Sequence, residues 1–463
     1  MIRSRSSSSR QPIKSLGISW PQLNPFMVSQ LRILLPKHLT IDKRFVRSIK
    51  ILVTVVKKPR WGTVTNFFIT KNIRRLENKN EFISNFSKER TEKKMIYKSY
   101  ISNASRRVIK TLIGLLLRLI ANALSLIKPH NLIKILGKLA YELNEKGDGF
   151  VTFHIRPKKA NEIEIDSIWK QNDEDVGIVV QGPYVSTNNF TLETVKLYKR
   201  IFPNAQIVLS TWASHEVEQS MQDLQKYCTV IYSTKPETLG SHNLNLQKAT
   251  TLAGISHMKG QGRLFCLKTR TDQRIYRQGA LSYLKSLVAA YPVKNNTILN
   301  GRIVELSITS CRYRPWSLCD MFQFGYTDDL YLMWDFKNDL RNRSASEYAS
   351  KPYKVIDIVN ENVAEIFVHR NFAKTIGLND SADYPSYYDF IKSALILIDK
   401  EEVDIFWSKY TAQEYNWAGI PQYNENQLLG RLSHSDWHIL ISEINNQPDF
   451  KKFEYRLNEY EVL

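Results

Sequence analysis

Beginning at Val176, the chain alternates short, almost unbroken apolar runs with segments of helical period, a pattern that few folds accept. "VGIVVQGP" reads as a strand entering a Gly-Pro turn. "TLETVKLYKRIFP" reads as a helix with Leu192, Val195, Tyr198 and Ile201 on one face, stopped by Pro203. "AQIVLSTW" is the next strand, "HEVEQSMQDLQKY" a helix and "CTVIYST" a third strand. "NLNLQKATTLAGISHMK" is then a helix that aligns Leu246, Ala249, Ala253 and Ser256, and "RLFCLK" is a fourth strand. Strands that are apolar at every position are covered on both faces, which marks a parallel sheet flanked by helices. Right-handed crossovers make it an open, mainly parallel, Rossmann-like α/β sheet with helices on both faces.

In such sheets the ligand crevice lies outside the carboxyl ends of the strands. Three strand ends carry polar or glycine-bearing tails: "QGPYVST", "STWASH" and "KTRTDQR". The third is the most telling, because the apolar run Leu264–Leu267 finishes in Lys268, Arg270, Asp272 and Arg274 on alternate positions. Asp272 stands where a carboxylate meets a divalent ion, Mg²⁺ or Mn²⁺, that bridges two phosphates. Lys268, Arg270 and Arg274 would neutralise the same phosphates. The plain alternative is an ion-paired surface loop. The turn at Gln181, Gly182 and Pro183 lets backbone N–H groups approach a phosphate. It is neither a GxGxxG fingerprint nor a GxxxxGK[ST] loop, and neither occurs at this position.

Further on, "RPWSLCDMFQFGYTDDLYLMWD" combines aromatics with four aspartates. Asp328 and Asp329 suit the N-terminal dipole of the helix "TDDLYLMW", with Thr327 as its cap. Asp320 has no such use and is the candidate for catalysis or acceptor binding. Trp316, Phe322, Phe324 and Tyr326 are either aromatic core or a stacking wall for a sugar. In "ENVAEIFVHRNF", Glu361 and Glu365 fall one helical turn apart, and one facing the cleft would serve as a general base. No Ser–His–Asp or Cys–His set stands out, and His215, His242 and His257 are scattered.

A chain of 463 residues is long enough for more than one hydrophobic core. Its net charge of +20 suggests nucleic acid until it is located. Residues 1–150 hold 30 Lys and Arg against 8 Asp and Glu, a surplus of 22, and the remaining 35 and 37 nearly cancel. A basic module attached to a neutral body fits an anionic membrane surface, so no nucleic acid is expected. Residues 1–25 read as a disordered basic tail and 26–150 as a basic, largely helical region. Within it, Lys110, Thr111, Gly114, Arg118, Asn122, Ser125 and Lys128 fill one wedge of about 120° on a helix over 110–128. The rest of that helix is apolar, as in a helix lying in a membrane interface. Arg118 near its centre would cost roughly 2.5–3.5 kcal/mol in a true span. Cys228, Cys266, Cys311 and Cys319 form no Cys-x-x-Cys pair and are expected to be reduced thiols, and no secretory signal is evident at the N-terminus. The expected location is cytoplasmic, peripheral on the inner face of the plasma membrane.

"GIVVQGP", "FPNAQIVLSTW", "LKTRTDQR" and "CDMFQFG", followed by "ENVAEIFVHRNF", resemble in this order the WavE lipopolysaccharide synthesis family. The resemblance spans residues 176–375 and leaves 376–463 as a helical C-terminal region. It implies a GT-A-like glycosyltransferase domain, with a nucleotide-sugar donor and a lipopolysaccharide core or other surface-polysaccharide acceptor. By the same resemblance Gln181, Gly182, Pro183, Ser210, Thr211, Trp212, Lys268, Arg270 and Asp272 match the family's motifs, and with the neighbouring Arg274 they are expected to hold the donor, with Asp272 on the metal. Asp320 and Glu365 become the catalytic acids. One departure matters: Arg270 occupies the first position of the usual Asp-x-Asp metal motif, which opens the site to a metal-independent arrangement. The rivals are a sugar-phosphate or nucleotidyl transferase on the same fold and a non-catalytic nucleic-acid-binding protein.

Overall fold

The computed structural model describes residues 111–461 except 112, 128, 148–154, 166–171, 294–297, 343–346, 348–351, 411–429 and 443–447. The expected tail 1–25 and residues 26–110 lie outside the described residues. The chain divides into two units, Met1–Ala123 and Leu124–Leu463. Residues 113–125 are helical, within the expected 110–128, and Leu115, Leu116, Leu117, Leu119 and Ile120 on them are exposed. A second helix, α1 (Pro129–Lys146), follows. Among the described residues no helix is long and apolar enough to cross a membrane.

The body of the second unit is a seven-stranded sheet. Its strands are β1 (Val176–Gln181), β2 (Gln206–Thr211), β3 (Thr229–Tyr232), β4 (Phe265–Arg270), β6 (Ile303–Leu306), β7 (Gln323–Tyr326) and β9 (Leu395–Ile398), in the order β3-β2-β1-β4-β7-β6-β9. All neighbours pair in parallel except those of β7, which runs against β4 and β6. The four strands read from the sequence are β1 to β4. Every residue of β1 is buried, as its unbroken apolar run requires, and each large aliphatic side chain so buried contributes roughly 1.5–3 kcal/mol.

Helices α2 (Phe190–Ile201), α3 (His215–Leu224) and α4 (Leu244–Gly260) connect the first four strands. Right-handed crossovers put α2 and α3 on one face and α4, which returns across β2 and β1, on the other. The face that α4 turns inward is not the aligned set Leu246, Ala249, Ala253 and Ser256. It buries Thr250, Thr251, Gly254, Ile255 and Met258 instead. Gly254 is the reason: a Cβ there would lie 2.3 Å from Val179 Cγ1, so only glycine lets the helix sit this close to β1.

The second half of the sheet comes from α5 (Ala280–Ala290), α6 (Thr327–Trp334), α7 (Val355–Glu361), α8 (Ala364–Thr375), α9 (Tyr384–Ala394) and α10 (His434–Ile441), with β6, β7 and β9 between them. The stretch after 375, read as helical, also supplies β9 to the main sheet and β10 (Ile405–Trp407) to a ribbon with β5 (Gln273–Ile275). A remaining pair joins β8 (Tyr353–Lys354) to β11 (Tyr460–Glu461). The cysteines Cys228, Cys266, Cys311 and Cys319 are free and buried.

Candidate functional site

Strand order reverses between β1 and β4, because β1 leads outward to β2 and the chain re-enters at β4 on the other side. This is the crevice that an open sheet offers a ligand. Gln181 at the end of β1 lies beside Ser210 of β2 and Arg270 of β4. Past Gln181 the chain bends at Gly182, whose φ of +117° disfavours other residues and whose missing Cβ would meet Thr271 Oγ1 at 3.1 Å. Thr271 N–H donates to Gln181 O at 3.0 Å, and its hydroxyl donates to Pro183 O at 2.6 Å. Asp272 and the Gly182 bend are therefore sewn together at one edge.

Asp272 is not open to that edge. Arg270 Nε and Nη2 each donate to one of its carboxylate oxygens at 2.9 Å, a bidentate pair. Burial opposes ionisation of Asp272, but the Arg270 bonds and charge, with Trp407 and Lys409, outweigh it and hold the carboxyl below its ordinary value. The Asp272 carbonyl accepts from Ser408 N at 2.8 Å and Ser408 Oγ at 3.0 Å, which ties the end of β10 to the end of β4.

Beside this pair opens a cavity of about 770 Å³. Its basic lining is Arg156, Lys158, Arg274 and Lys409, and Asp272 is the carboxylate among its walls. Phe190, Tyr276 and Phe406 give it an aromatic side. Arg274 is 1% exposed and its hydrogen bonds go to neutral oxygens: Thr194 Oγ1, Phe190 O, Lys158 O and Tyr276 OH. Its guanidinium carbon sits 4.3 Å from the centre of the Phe190 ring. Arg156 instead pairs with Asp404 at 2.5 Å. A pocket of this size, with an aromatic wall and convergent cations, suits a nucleotide bearing phosphates.

On the α4 face of the same edge lies a buried polar network. Thr250 donates to the Gln181 side chain at 2.8 Å, and Gln247 Nε2 to Asp320 Oδ2 at 2.9 Å. Lys268 donates to the Asp320 carbonyl and lies 4.4 Å from the centre of the Trp334 ring. Burial pushes the pKa of Lys268 down to about 8, against the pull of Asp320. One strand over, Glu305 and His369 are both fully buried and meet at 3.0 Å. Gln323 Nε2 donates to Glu305 at 2.7 Å, while Trp334 Nε1 donates to Gln323 at 2.7 Å. Burial alone would lower the pKa of His369. The Glu305 charge and hydrogen bond, and the Glu365 carbonyl at Nδ1, overcome that and raise it.

The structure thus gathers Gln181, Gly182, Arg270, Asp272 and Arg274 at one crevice and separates several others from it. Lys268, expected to neutralise phosphate, is fully buried and committed to Asp320. Ser210 and Thr211 are fully buried in β2, and neither hydroxyl has a hydrogen-bond partner; Trp212 is half-buried and Pro183 exposed. Arg274 lines the cavity as a buried scaffold. Glu361 and Glu365 do not share a helix, because Asn362 at φ 51° ends α7 before α8 begins. Glu365 Oε1 lies 3.6 Å from Arg314. Asp328 pairs with Lys259, and Asp329 is buried and accepts from the backbone of Asn300 and Gly301, pinning that turn. Trp316, Phe322 and Phe324 are core, not a stacking wall. Asp320 keeps partial exposure at the β7 end.

The sequence also passes over residues that the fold brings to this edge. Half-buried His242 stands at φ 54° at the mouth of α4, where burial lowers its pKa against the opposing Glu365 charge. Glu305 carried a signal, being the lone charge in the apolar run "IVEL". A metal would find its expected carboxylate already engaged. Both Asp272 oxygens are taken by Arg270, and no group of three or more His, Cys, Asp or Glu side chains among the described residues could hold an ion.

Solved structures similar to this chain include 4-diphosphocytidyl-2C-methyl-D-erythritolsynthase from Anaerococcus prevotii. It is 11% identical, over 35% of this chain and 78% of that one, with a TM-score of 0.25. A cytidylyltransferase from Leptospira borgpetersenii is 9% identical over 35% of this chain and 65% of that one, at a TM-score of 0.24. Mannose-1-phosphate geranyltransferase from Thermus thermophilus is 11% identical over 30% and 44%, at 0.20. No curated protein matches the chain. The WavE profile matches residues 176–450, well past the expected limit at 375 and over more than half of the sequence. The chain belongs to the WavE lipopolysaccharide synthesis family.

Proposed function

We propose that this protein is a glycosyltransferase that moves a sugar from a nucleotide-sugar donor to a lipopolysaccharide core or another cell-surface polysaccharide. The observation that carries the reading is the aromatic, cation-lined cavity at the β1–β4 switch point, in a chain whose family serves lipopolysaccharide synthesis. In this reading the nucleotide occupies the cavity and the acceptor hydroxyl approaches from the Asp320 side. The hydroxyl oxygen forms a bond to the sugar C1 as the C1–O bond to the diphosphate breaks, and the electron pair leaves with the diphosphate. Asp320 takes the hydroxyl proton. Gln247 and Lys268 hold Asp320 in position through its side chain and its carbonyl. Acceptors of this class sit at a membrane, which gives the basic 1–150 segment and the exposed leucines of 113–125 a purpose at its inner face.

The test is turnover of a nucleotide-sugar panel with a lipopolysaccharide-core acceptor, reading release of nucleoside diphosphate. Asp320→Asn is expected to bind donor normally and to lose turnover by about 100-fold or more. Release of sugar 1-phosphate in place of nucleoside diphosphate would make the protein a nucleotidyl transferase.

A further inference from the structure

The bidentate Arg270–Asp272 pair stands where a metal-dependent enzyme of this architecture needs a free carboxylate. Mg²⁺ and Mn²⁺ bind through one or two protein carboxylates and fill their remaining positions with phosphate oxygens and water. Here both oxygens of Asp272 face the guanidinium of Arg270 at 2.9 Å, and the side chain is 12% exposed. A metal would have to share those oxygens with a guanidinium whose positive charge opposes it.

The surrounding charges point the same way. The cavity wall carries Arg156, Lys158, Arg274 and Lys409, with Arg270 just behind. Among the described residues, the acids set against these cations are Asp272 and, behind Arg156, Asp404, so the wall is predominantly positive. Arg274 makes the point most sharply, since a guanidinium 1% exposed with neutral oxygens for partners is a costly cation unless an anion shares its surroundings. A dianionic diphosphate would offset most of that positive charge without an added metal.

We propose that the cavity holds the diphosphate of its nucleotide with side-chain cations in place of a divalent metal, and that Asp272 is a positioning residue rather than a metal ligand. Asp272 orients Arg270 through its carboxylate and anchors the 408–409 segment through its carbonyl, so that Lys409 stands at the cavity. Lys158 and Lys409 supply the exposed charges that meet the phosphates, while Arg274 supplies a fixed one from below. This inference rests on the reading of the cavity as a nucleotide site.

Isothermal titration of the full chain with UDP, CDP and GDP, in excess EDTA and again in MgCl₂ or MnCl₂, tests it. At least one nucleoside diphosphate is expected to bind with the same Kd, within about threefold, in all three buffers. Lys158→Ala and Lys409→Ala, both at exposed positions, are each expected to raise that Kd about tenfold. Asp272→Asn keeps the carbonyl anchor but loosens Arg270, and is expected to raise the Kd about threefold, by the same factor in EDTA as in MgCl₂ or MnCl₂. Binding seen only with a divalent ion, or abolished by Asp272→Asn in a variant that still melts cooperatively, overturns the inference and leaves the glycosyltransferase reading intact. If no nucleoside diphosphate binds in any buffer, that reading fails first and the inference falls with it.

Discussion

Replacing Lys268 with methionine should stabilise the protein while slowing it. The Lys268 ammonium is fully buried, and its pKa falls from 10.5 to about 8. At about 1.4 kcal/mol per unit, keeping the charge in the fold at neutral pH costs roughly 3 kcal/mol. Methionine removes the charge and fills much of the same volume. What is lost is one bond to the Asp320 carbonyl, which keeps its bond from Gln247 at 3.1 Å, and the contact over Trp334 at 4.4 Å. Those losses offset about 1–2 kcal/mol, so Lys268→Met should gain about 1–2 kcal/mol and raise Tm by roughly 2–5 °C. Turnover should fall, because the segment that carries Asp320 loses its tether. The pH dependence isolates the cause. Above about pH 8 folded Lys268 is neutral while the unfolded chain still binds the proton up to about pH 10.5, so wild-type stability gains as pH rises through this window. The gap between variant and wild type is therefore widest below about pH 8 and narrows above it. Thermal melts of both proteins from about pH 6.5 to about pH 10 read this directly. A lower Tm for the variant would show that the charge is stabilising where it lies, and a gap that does not change with pH would show that the charge is not its cause.

Two further outcomes concern the frame around the site. Gly254→Val would force side-chain carbon to within 2.3 Å of Val179 Cγ1, and the strain should lower stability by about 1–3 kcal/mol in urea unfolding. The Glu305–His369 pair, with the histidine pKa raised, contributes fully below the unfolded histidine value and is lost as pH rises through the folded one. Glu305→Gln should therefore destabilise most near about pH 6 and least near about pH 9, and a constant difference between those urea midpoints would contradict a charged pair.

The strands of the first half were legible because they are local, continuous apolar runs covered on both faces, and Asp272 beside Gly182 follows from the switch-point rule once they pair in parallel. What failed to show was long-range or small. The α4 helix packs through Gly254 and two threonines, so hydrophobic period pointed to the wrong face. Strand β9 is four residues embedded between helices, and only its pairing with β6 gives it meaning. Arg270 closing on Asp272 is a choice between two partners, metal or guanidinium, that spacing alone leaves open. Glu305 and His369 lie 64 positions apart, and no local pattern joins them.

The Ser408–Asp272 clasp has a practical consequence for anyone trimming this polypeptide. Ser408 and Asp272 are 136 positions apart, yet they share a hydrogen bond at the mouth of the crevice. A fragment cut near residue 375, the limit expected from the sequence motifs, would forfeit the outermost strand β9 together with Phe406 and Lys409, and so would arrive at the bench half-walled and unable to report on its own chemistry.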